Sequence, residues 1–427
     1  MLSSDTEIYK NSDRRSCDRK LMLFDLSIHG HHSSYIQHLI EYWCEEELSG
    51  TLDIVVSPKF LQAHSDVVNC VPKDHQNNIK FVSINTEEES ALKDRKSGFN
   101  RALRNFQEWN LFCKYAGLLK ANHCLFMYFD TCLLPLSWGW NSPCSFSGIY
   151  FRPTFHYGDF THYLPSRKAQ IQQWREKITL GRVLRHPQLK TLFCLDPFAV
   201  KHINTFHSKA RAIHLPDPVQ NNHGSQPHSV QLRENLGIHP DRQVFLLFGA
   251  LDGRKGIYQL LEALLLLPSD LCHKLCLVFV GAANSKEKEL IESKVATVCQ
   301  SQPVQILRHY EFVPEQDVQG YFQLADVVLA PYQRHVGMSG ILLLAAATQK
   351  PVLSSNYGLM GEIVQQYSLG LTLDSTVPGE IAQGLTRFLL EPPDALCDRA
   401  KMRLLAEQNS AKRFASVIFQ NLCSNHS

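Results

Sequence analysis

The sequence predicts an α/β protein made of two domains, each built on a parallel β-sheet that helices cover. The chain has 427 residues, and single hydrophobic cores stop growing at about 250–300 residues. Short apolar runs alternate with helical patterns along both halves, which is typical of doubly wound domains. Between the halves, Pro216–Val230 reads PDPVQNNHGSQPHSV, which is rich in Pro, Asn, Gly and Ser and predicts a linker.

Continuous apolar runs mark the strands of the C-terminal half. Continuous rather than alternating apolarity is typical of parallel strands that are buried on both faces. The runs are VFLLFG (244–249), LCLVFVG (275–281), VQIL (304–307), DVVLAPY (326–332), PVLSS (351–355) and LGLTLD (369–374). The segment GIYQLLEALLLL places Ile257, Leu260, Leu261 and Leu264 on one helix face, which predicts a helix that covers the sheet.

The N-terminal half repeats the alternation with weaker signals. LMLFDLS (21–27) runs into a glycine turn at Gly30 and then a helix from about Ser34 to Glu46. Further candidate strands are LDIVVS, IKFVSI, HCLFMYFD, FSGIYF and KTLFCLD. Ligands of open α/β sheets bind at the carboxyl ends of the strands, so we expect functional residues in the loops that follow these runs.

Composition is that of a soluble globular protein. Hydrophobic residues make up 44% of the chain, charged residues 20%, and the net charge is +2. This balance argues neither for nor against nucleic acid, and we predict no nucleic-acid partner. The 13 cysteines form no CxxC pair, which favours free thiols in a reducing cytoplasm over a zinc site or disulfide framework. The N-terminus is polar and no apolar run approaches the length of a membrane span, so we expect a cytoplasmic protein.

The stretch FLLFGALDGRKGIYQLLEAL predicts an anion-binding loop. A buried strand ends at Gly249, Arg254 and Lys255 follow in a short loop, and Gly256 opens a helix. Free backbone N–H groups at a helix N-terminus and the helix dipole favour negative charge, and the two cations reinforce them. The alternative interpretation is a surface loop whose Arg and Lys are only solvated.

The stretch HVGMSGILLLAAATQKPVLSSNYG (335–358) supplies a second loop and helix N-terminus. Gly337, Ser339 and Gly340 allow the backbone to approach a ligand closely. The alternative is a helix of small residues that serves packing alone. Because this loop and Lys255 lie at the same edge of one predicted sheet, we expect an anion pocket there, although no residue of the stretch is acidic.

Together these segments resemble the glycosyltransferases of group 1, the large retaining class with the GT-B fold. FGALDGRKG is similar to the family's strand, loop and lysine-glycine pair, HYEFVPEQDVQGYFQLADVVLAPY to its base-binding turn with the next helix and strand, and KPVLSSNYGLMGEIV to its later glycine turn. The similarity runs from Val244 to Leu390 and is fainter in the N-terminal half, at Gly30 and LPDPV. It implies two Rossmann-like domains that face each other across a cleft.

With this fold we expect the following domain bounds. Residues 1–19 are predicted to be a disordered N-terminus, 20–219 an acceptor-side Rossmann-like domain, 220–232 a linker and 233–400 a nucleotide-sugar domain. Residues 401–427 are expected to form a C-terminal helix that packs back on the N-terminal domain, as it does in GT-B proteins.

The resemblance implies that the C-terminal domain holds the donor, with Lys255 on its diphosphate. The family's usual arginine falls on Ala250, and Arg254 would supply a substitute charge. Its paired glutamates fall on Val336 and Leu344, so the usual contacts to the sugar and to the ribose hydroxyls are missing. The other implied donor-binding residues are Gly30, Gly249, Tyr310 (through the backbone that holds the base), Gly337, Ser339, Gly340 and Glu362.

Polar residues that follow two N-terminal strands are candidates for the opposite side of the cleft. Asp130 ends HCLFMYFD, and Arg152 and His156 follow FSGIYF. The resemblance implies a histidine on the donor sugar, a role that Arg152 and His156 share, while Asp130 would orient an acceptor hydroxyl. The alternative is that each caps a strand or helix. His156, Asp159 and His162 have a spacing that a metal could use, but we predict no metal, because GT-B enzymes generally need none.

The segment 166–190, SRKAQIQQWREKITLGRVLRHPQLK, is strongly basic, with seven Arg and Lys residues against the single acid Glu176. With Ile171, Trp174 and Ile178 it predicts an amphipathic helix that contacts anionic lipid. The alternative is a solvated basic face.

The predicted function is the transfer of a sugar from a UDP- or GDP-linked donor to an unidentified glycan, lipid-linked or small-molecule acceptor, with retention and without a further cofactor. Retaining enzymes of this class are thought to use the leaving diphosphate as the proton acceptor, so the missing glutamates do not remove the chemistry. The alternatives are a non-catalytic sugar-nucleotide binding protein and a GT-B sugar-nucleotide epimerase.

Overall fold

A computed structural model of the protein describes residues 19–28, 30–94, 97–219 and 227–423. Most of the predicted disordered N-terminus (1–19) and the first part of the predicted linker (220–232) lie outside the described residues. Within the described ranges, no helix combines the length and apolar character needed to cross a bilayer.

Strands and helices alternate along the described chain. The strands β1 to β13 are Lys20–Phe24, Thr51–Val56, Ile79–Ser83, His123–Phe126, Ser145–Tyr150, Leu189–Cys194, Arg211–His214, Gln243–Phe248, Leu275–Val280, Gln305–His309, Val327–Ala330, Val352–Ser355 and Gly370–Leu373. The helices α1 to α19 are His32–Glu45, Pro58–Ala63, Ser65–Asn69, Thr86–Ala91, Gly98–Leu118, Leu133–Ser137, Arg167–Val183, Pro197–Ile203, Pro227–Asn235, Ile257–Leu264, Ser269–Cys272, Ser285–Ser301, Glu315–Leu324, Gly340–Ala347, Gly358–Gln366, Pro378–Leu390, Pro393–Leu396, Arg399–Gln408 and Ala411–Cys423.

Seven strands form the first sheet, in the order β3-β2-β1-β4-β5-β6-β7, and every neighbouring pair is parallel. The chain moves outward in one direction from β1 to β3 and then in the other direction from β4 to β7. Such a reversal creates a switch point between β1 and β4, where loops from both sides open a crevice at the carboxyl ends of the strands.

The second sheet follows the same plan with six parallel strands, in the order β10-β9-β8-β11-β12-β13. Its core contains the fully buried Phe245, Leu247 and Phe279, against which α10 packs Leu260 and Leu264. Each apolar run predicted in the C-terminal half overlaps one of these strands. The predicted pair of parallel α/β sheets is therefore confirmed.

One strand was missed in the sequence. β7, Arg211–His214, is the outer strand of the first sheet, and only Ala212 of its four residues is buried. An edge strand has one partner and is partly solvated, so its sequence lacks the continuous apolar run that reveals a central strand.

The described chain separates into two compact units. The first unit contains the described residues up to Phe151, then Lys177–Leu215 and the chain from Ala415 onward, and the second contains Arg152–Glu176 and Pro216–Phe414. Residues 152–176 thus lie in the second unit, although the sequence placed them in the N-terminal domain.

The C-terminal segment is two helices rather than one. α18 and α19 are separated at Asn409, whose main-chain oxygen accepts a hydrogen bond from the N–H of Val219 (2.8 Å) and whose side chain accepts one from Asp217 (3.0 Å). α18 belongs to the second unit, and α19 from Ala415 belongs to the first. In the first unit Phe419 of α19 packs on α1.

The contact of α19 with α1 is testable. The Phe419 ring lies 5.8 Å from Tyr42 and 5.4 Å from Trp43 of α1, centroid to centroid, and is 2% exposed. We expect Phe419→Ala to reduce the free energy of unfolding by about 3–5 kcal/mol, because it removes a large buried ring and leaves a cavity. Denaturant titration followed by tryptophan fluorescence measures this. Leu404→Ala, at a 47% exposed position, is the control and should change stability by no more than about 0.5 kcal/mol.

Candidate functional site

Lys255 lies at the switch point of the second sheet. It ends the short turn Gly253–Lys255, which follows β8, and Gly256 then opens α10. Gly256 has φ +77°, and a Cβ on it would lie 2.0 Å from the main-chain oxygen of Pro331. Only glycine fits there. This close approach holds the loop after β8 against the loop after β11, which is the neighbouring strand.

The ammonium group of Lys255 is buried. The residue is 6% exposed, and Nζ donates hydrogen bonds to the main-chain oxygen of Phe248 (3.0 Å) and to the Tyr332 hydroxyl. Nζ also lies 4.2 Å from the Tyr332 ring centroid, a distance typical of a cation–π contact. A Cβ at Gly249 would lie 2.9 Å from Nζ, so glycine there leaves room for the ammonium group. Both hydrogen-bond acceptors are neutral groups, which leaves the positive charge uncompensated.

Burial and, to a smaller extent, the nearby Arg254 lower the pKa of Lys255 to about 7, and Asp252 partly opposes the shift. A desolvated cation without a bonded counter-ion is unfavourable, because burial removes water from the charged form. An anionic ligand would supply the missing charge.

Tyr332 links the parts of this site. It is 1% exposed, and burial raises the pKa of its hydroxyl well above the usual value, so it is neutral at physiological pH. The hydroxyl lies 3.2 Å from the Ser339 hydroxyl, and the main-chain oxygen accepts a hydrogen bond from Ser375 (2.8 Å). Sequence reasoning missed Tyr332 as a site residue, and the available signal was its position directly after the strand β11.

Positive charge converges on His335. Burial is the main cause that lowers the pKa of His335, the hydrogen bond to the Met338 main chain opposes the shift, and Arg254, Lys255 and Arg152 lower it further. Three predicted site cations therefore act on one imidazole. Clustered charge of one sign attracts ligands of the opposite sign.

Two helix N-termini border the same loop. Ser339 precedes α14 and Tyr357 precedes α15, and neither side chain caps the first N–H groups of its helix. A Cβ on Gly340 would meet nothing within 4 Å, so open space lies beside the start of α14. Gly358 has φ +67°, and its Cβ would lie 2.9 Å from the main-chain oxygen of His335, which brings α15 to the loop. Uncapped N–H groups beside the buried Lys255 are an arrangement that favours an anionic ligand.

A cavity of about 330 Å³ adjoins this loop. Its lining includes Tyr357, which precedes α15, and Ser375, whose hydroxyl donates a hydrogen bond to the main-chain oxygen of Tyr332. Its other polar lining residues include Thr161, His162, Arg334, Ser355, Asn356 and Thr376. Hydroxyl, amide and guanidinium groups of this kind are suited to hydrogen-bond a polyhydroxylated ligand.

Three more of the predicted donor-binding residues have the following surroundings in the structure. The Tyr310 hydroxyl donates to Glu292 (2.8 Å) of α12, so the side chain faces that helix and its predicted contact to a base involves only main chain. Glu362 is half-buried in the second turn of α15. Gly337 lies beside His335, because a Cβ added to this glycine would be 3.7 Å from the Nε2 of His335.

The predicted site residues of the N-terminal half are divided between the two units. Arg152 and His156 lie in the second unit, and Asp130 and Gly30 in the first. His156 is 4% exposed and packs among the rings of Phe155, Tyr157 and Phe160, a core environment that the sequence did not reveal. Asp130 accepts a hydrogen bond from the N–H of Phe151 (2.9 Å) and so joins the ends of β4 and β5.

Gly30 precedes α1 with φ +87°, a conformation that favours glycine. In the part of the chain that the structure describes, no three His, Cys, Asp or Glu side chains are grouped to hold a metal ion.

Comparisons with known proteins agree with the sequence resemblance. The sequence model of the family described as glycosyl transferases group 1 matches residues 230–411. This match confirms the resemblance for the C-terminal half of the chain. No curated protein matches the chain.

Solved structures match almost the whole chain. The N-terminal domain of trehalose-6-phosphate phosphatase from Candida albicans has a TM-score of 0.67 at 11% identity and covers 98% of this chain and 99% of its own. Anabaena HepE in complex with UDP has a TM-score of 0.65 at 12% identity, covering 95% and 100%. Sucrose-phosphate synthase from Thermosynechococcus elongatus has a TM-score of 0.65 at 15% identity, covering 95% and 99%. At these identities the likeness establishes the fold, which is GT-B as predicted.

The lowered pKa of Lys255 predicts how anion binding depends on pH. Lys255 has a pKa of about 7 in the free protein, and a bound diphosphate stabilises the charged form and raises that pKa. Above pH 7 binding therefore takes up a proton, and affinity should fall by up to about tenfold per pH unit until the pKa of the complex is reached. Calorimetry with UDP from about pH 7 to 9, in buffers of different ionisation enthalpy, measures affinity and proton uptake together. Lys255→Met should bind without proton uptake, and equal uptake by that variant would contradict the assignment.

Proposed function

We propose that the chain, whose residues 230–411 match the glycosyl transferases group 1 family, transfers a sugar from a UDP- or GDP-linked donor to an acceptor. The acceptor class is a glycan, a lipid-linked molecule or a small molecule, and the resemblance implies retention and no further cofactor. The observation that carries the proposal is the buried Lys255 ammonium group, whose hydrogen-bond acceptors are neutral, at the switch point of a GT-B sheet.

In this proposal the second unit stabilises the departing diphosphate. Lys255, Arg254 and the N–H groups at the start of α14 would hold the negative charge that develops when the glycosidic bond breaks. In many enzymes, preorganised charges in a water-poor site make the largest single contribution to the rate enhancement. Because Lys255 is already desolvated, it undergoes little reorganisation when the anion binds.

The apolar residues at two positions make the diphosphate contacts more important. Val336 and Leu344 occupy the positions at which the resembling family has its glutamates, and neither offers a hydrogen bond to a ribose or sugar hydroxyl. The adjoining cavity with His162 and Asn356 could hold the sugar instead. We therefore expect the hold on the donor to depend on phosphate rather than on the nucleoside.

Two substitutions test this expectation. We expect Lys255→Met to weaken UDP or GDP binding by roughly ten- to a hundredfold, since a charge-assisted hydrogen bond contributes about 1.5–3 kcal/mol. Binding of the nucleosides should be unchanged, because the lost contact is to phosphate. Gly340→Val should also weaken diphosphate binding, since its side chain would occupy open space beside α14 without disturbing packing. Calorimetry with each nucleotide and nucleoside gives these affinities, and Leu266→Ala at an exposed position is the control.

Activity separates the proposal from its alternatives. Incubation with UDP-, GDP- and ADP-sugars and a panel of acceptors yields a transferred sugar if the proposal holds, and the anomeric configuration of the product reports retention. Binding without turnover would instead identify a sugar-nucleotide binding protein. Conversion of the donor in the absence of acceptor would identify an epimerase.

A surface of α7 supports a proposed contact with anionic lipid. Ile171, Trp174 and Ile178 lie at i, i+3 and i+7, on one helix face, and are 59%, 64% and 40% exposed. Exposed basic residues surround this face, namely Arg167, Lys168, Arg175 and Lys177. An apolar helix face with basic flanks binds at the interface of an anionic bilayer.

Vesicle co-sedimentation tests the lipid contact. We expect the protein to sediment with phosphatidylcholine vesicles that contain phosphatidylserine and not with phosphatidylcholine alone. Trp174→Ala should weaken this binding by about tenfold, because a large apolar side chain no longer inserts. Leu266→Ala, which removes an equally exposed apolar residue (60%) elsewhere, should have no effect. Equal binding of the two variants would show that α7 is only a solvated basic helix.

A further inference from the structure

The first unit exposes a cluster of aromatic side chains. Trp138 and Trp140, in the loop after α6, are 70% and 38% exposed, and Phe99, near the start of α5, is 78% exposed. The ring of Phe106 of α5 lies 5.7 Å from Trp138 and 4.9 Å from Trp140, centroid to centroid. Leu103, 37% exposed, lies between the two phenylalanines along the helix. These five residues form what we call the aromatic surface, and an exposed apolar cluster of this kind marks a binding site.

Main-chain contacts hold the loop that carries the two indoles. The N–H groups of Trp138 and Trp140 both donate hydrogen bonds to the main-chain oxygen of Pro135 (3.1 and 3.3 Å). Gly139, between them, has φ +82°, a conformation that favours glycine. The main-chain oxygen of Trp140 lies 3.2 Å from the Nε2 of the buried His186. The indoles are thus exposed on an ordered loop, so a ligand that stacks on them does not have to order that loop.

The aromatic surface consists of uncharged residues. One side of α5 carries, over its first three turns, Phe99, Ala102, Leu103, Phe106 and Asn110. Two cations of the same helix are already paired with carboxylates, since Arg104 bonds Glu108 (2.6 Å) and Lys114 bonds Glu88. A helix face that binds anionic lipid carries basic flanks for the headgroups. The charge pattern here instead matches a neutral ligand.

The direction of α5 relates the aromatic surface to the sheet. A helix that links parallel strands runs antiparallel to them, so the start of α5, with Phe99, points towards the carboxyl ends of the strands. Ligands of open α/β sheets bind at that edge. From Phe99 to Phe106 the helix rises by about 10 Å, which exceeds the width of one sugar ring. The surface therefore suits an extended chain of sugars.

Sugar rings have the chemistry that this surface recognises. One face of a pyranose presents C–H groups that pack on an aromatic ring, while the hydroxyl groups at its rim form hydrogen bonds. Indole and phenyl rings supply large apolar faces at a low cost in side-chain entropy. Asn110, on the same side of α5, and Asn141, which follows Trp140, are both exposed. Their amide groups can donate hydrogen bonds to sugar hydroxyls and accept them.

We propose that the aromatic surface binds a neutral oligosaccharide, whose sugar rings stack on Trp138, Trp140 and Phe99. This binding is separate from the donor site, which lies in the second unit, and it does not require transfer. Among the acceptor classes proposed above it selects the glycan, and that part of the inference rests on the proposed function. A chain held at the surface raises the effective concentration of its free end.

Tryptophan fluorescence and calorimetry with maltohexaose, cellohexaose and laminarihexaose test the inference. We expect at least one of these chains to bind and to shift the emission to shorter wavelength, with glucose binding more weakly. Trp138→Ala should weaken binding of the chain by at least about tenfold, a loss typical of an aromatic anchor, and Trp138→Phe should keep part of the affinity. Trp174→Ala, which removes a similarly exposed indole (64%) from α7, is the matched control and should bind like the wild type.

The melting temperature shows whether the variants fold. Because Trp138 is largely exposed, Trp138→Ala should change it by no more than about 2 °C. Failure of the wild type to bind any of the three chains, or equal affinities for wild type and Trp138→Ala, would overturn the inference. Self-association of the wild type, or its sedimentation with phosphatidylcholine vesicles, that Trp138→Ala abolishes would also overturn it, since the surface would then bind protein or lipid.

Transfer assays separate this inference from the proposed function. With an oligosaccharide acceptor, Trp138→Ala should raise the KM for the acceptor and leave kcat and the KM for the donor unchanged, because the lost contact is remote from the diphosphate. Binding of the chain without transfer to any acceptor would overturn the proposed function and leave the surface site intact. Transfer by a wild type that binds none of the chains would overturn the surface site alone.

Discussion

The hydrogen bond from the Lys255 ammonium group to the Tyr332 hydroxyl joins the loops that follow β8 and β11, two neighbouring strands at the switch point of the second sheet. The contact requires Gly249 and Gly256, because a side chain at either position would meet the ammonium group or the main chain of Pro331. It also desolvates a cation without a bonded carboxylate, which lowers the pKa of Lys255 to about 7. The rest of the site, from Ser339 to the start of α14, is arranged around this buried charge. Such a group lowers stability in the absence of an anion, and the proposed binding of a diphosphate would give a physical reason to retain it.

Electrostatics and hydrogen bonding are distributed unevenly in this site. Arg152, Arg254 and Lys255 all act on His335, whereas Val336 and Leu344 supply no acceptor where the resembling family has glutamates. The proposed donor pocket would therefore bind phosphate strongly. It would bind the sugar and ribose hydroxyl groups weakly, because it offers them no glutamate side chain. Binding energy in such a pocket is directed at the part of the donor that gains charge as the glycosidic bond breaks, which is the part that matters for catalysis.

The same reversal of strand order positions the polar residues in both units. In each sheet the strand order reverses between two central strands, and polar side chains gather where the loops of those strands separate. The second unit places Lys255 and Arg254 there, and the first places Asp25 and His32, whose side chains lie 2.6 Å apart. The two edges therefore carry different side chains, although the sheets are built alike.

The sequence by itself determined the class of fold and the centre of one site. Central parallel strands are buried on both faces, so β8, β9 and β12 appear as continuous apolar runs, and the loop with Arg254 and Lys255 is visible because it directly follows such a run. The edge strand β7, the break between α18 and α19 and the membership of residues 152–176 in the second unit were decided only in three dimensions. The same holds for the contact of Lys255 with Tyr332, which are 77 residues apart, and for the burial of His156. Local periodicity reports how far a segment is buried, whereas partners distant in sequence are set by the strand order that brings their loops together.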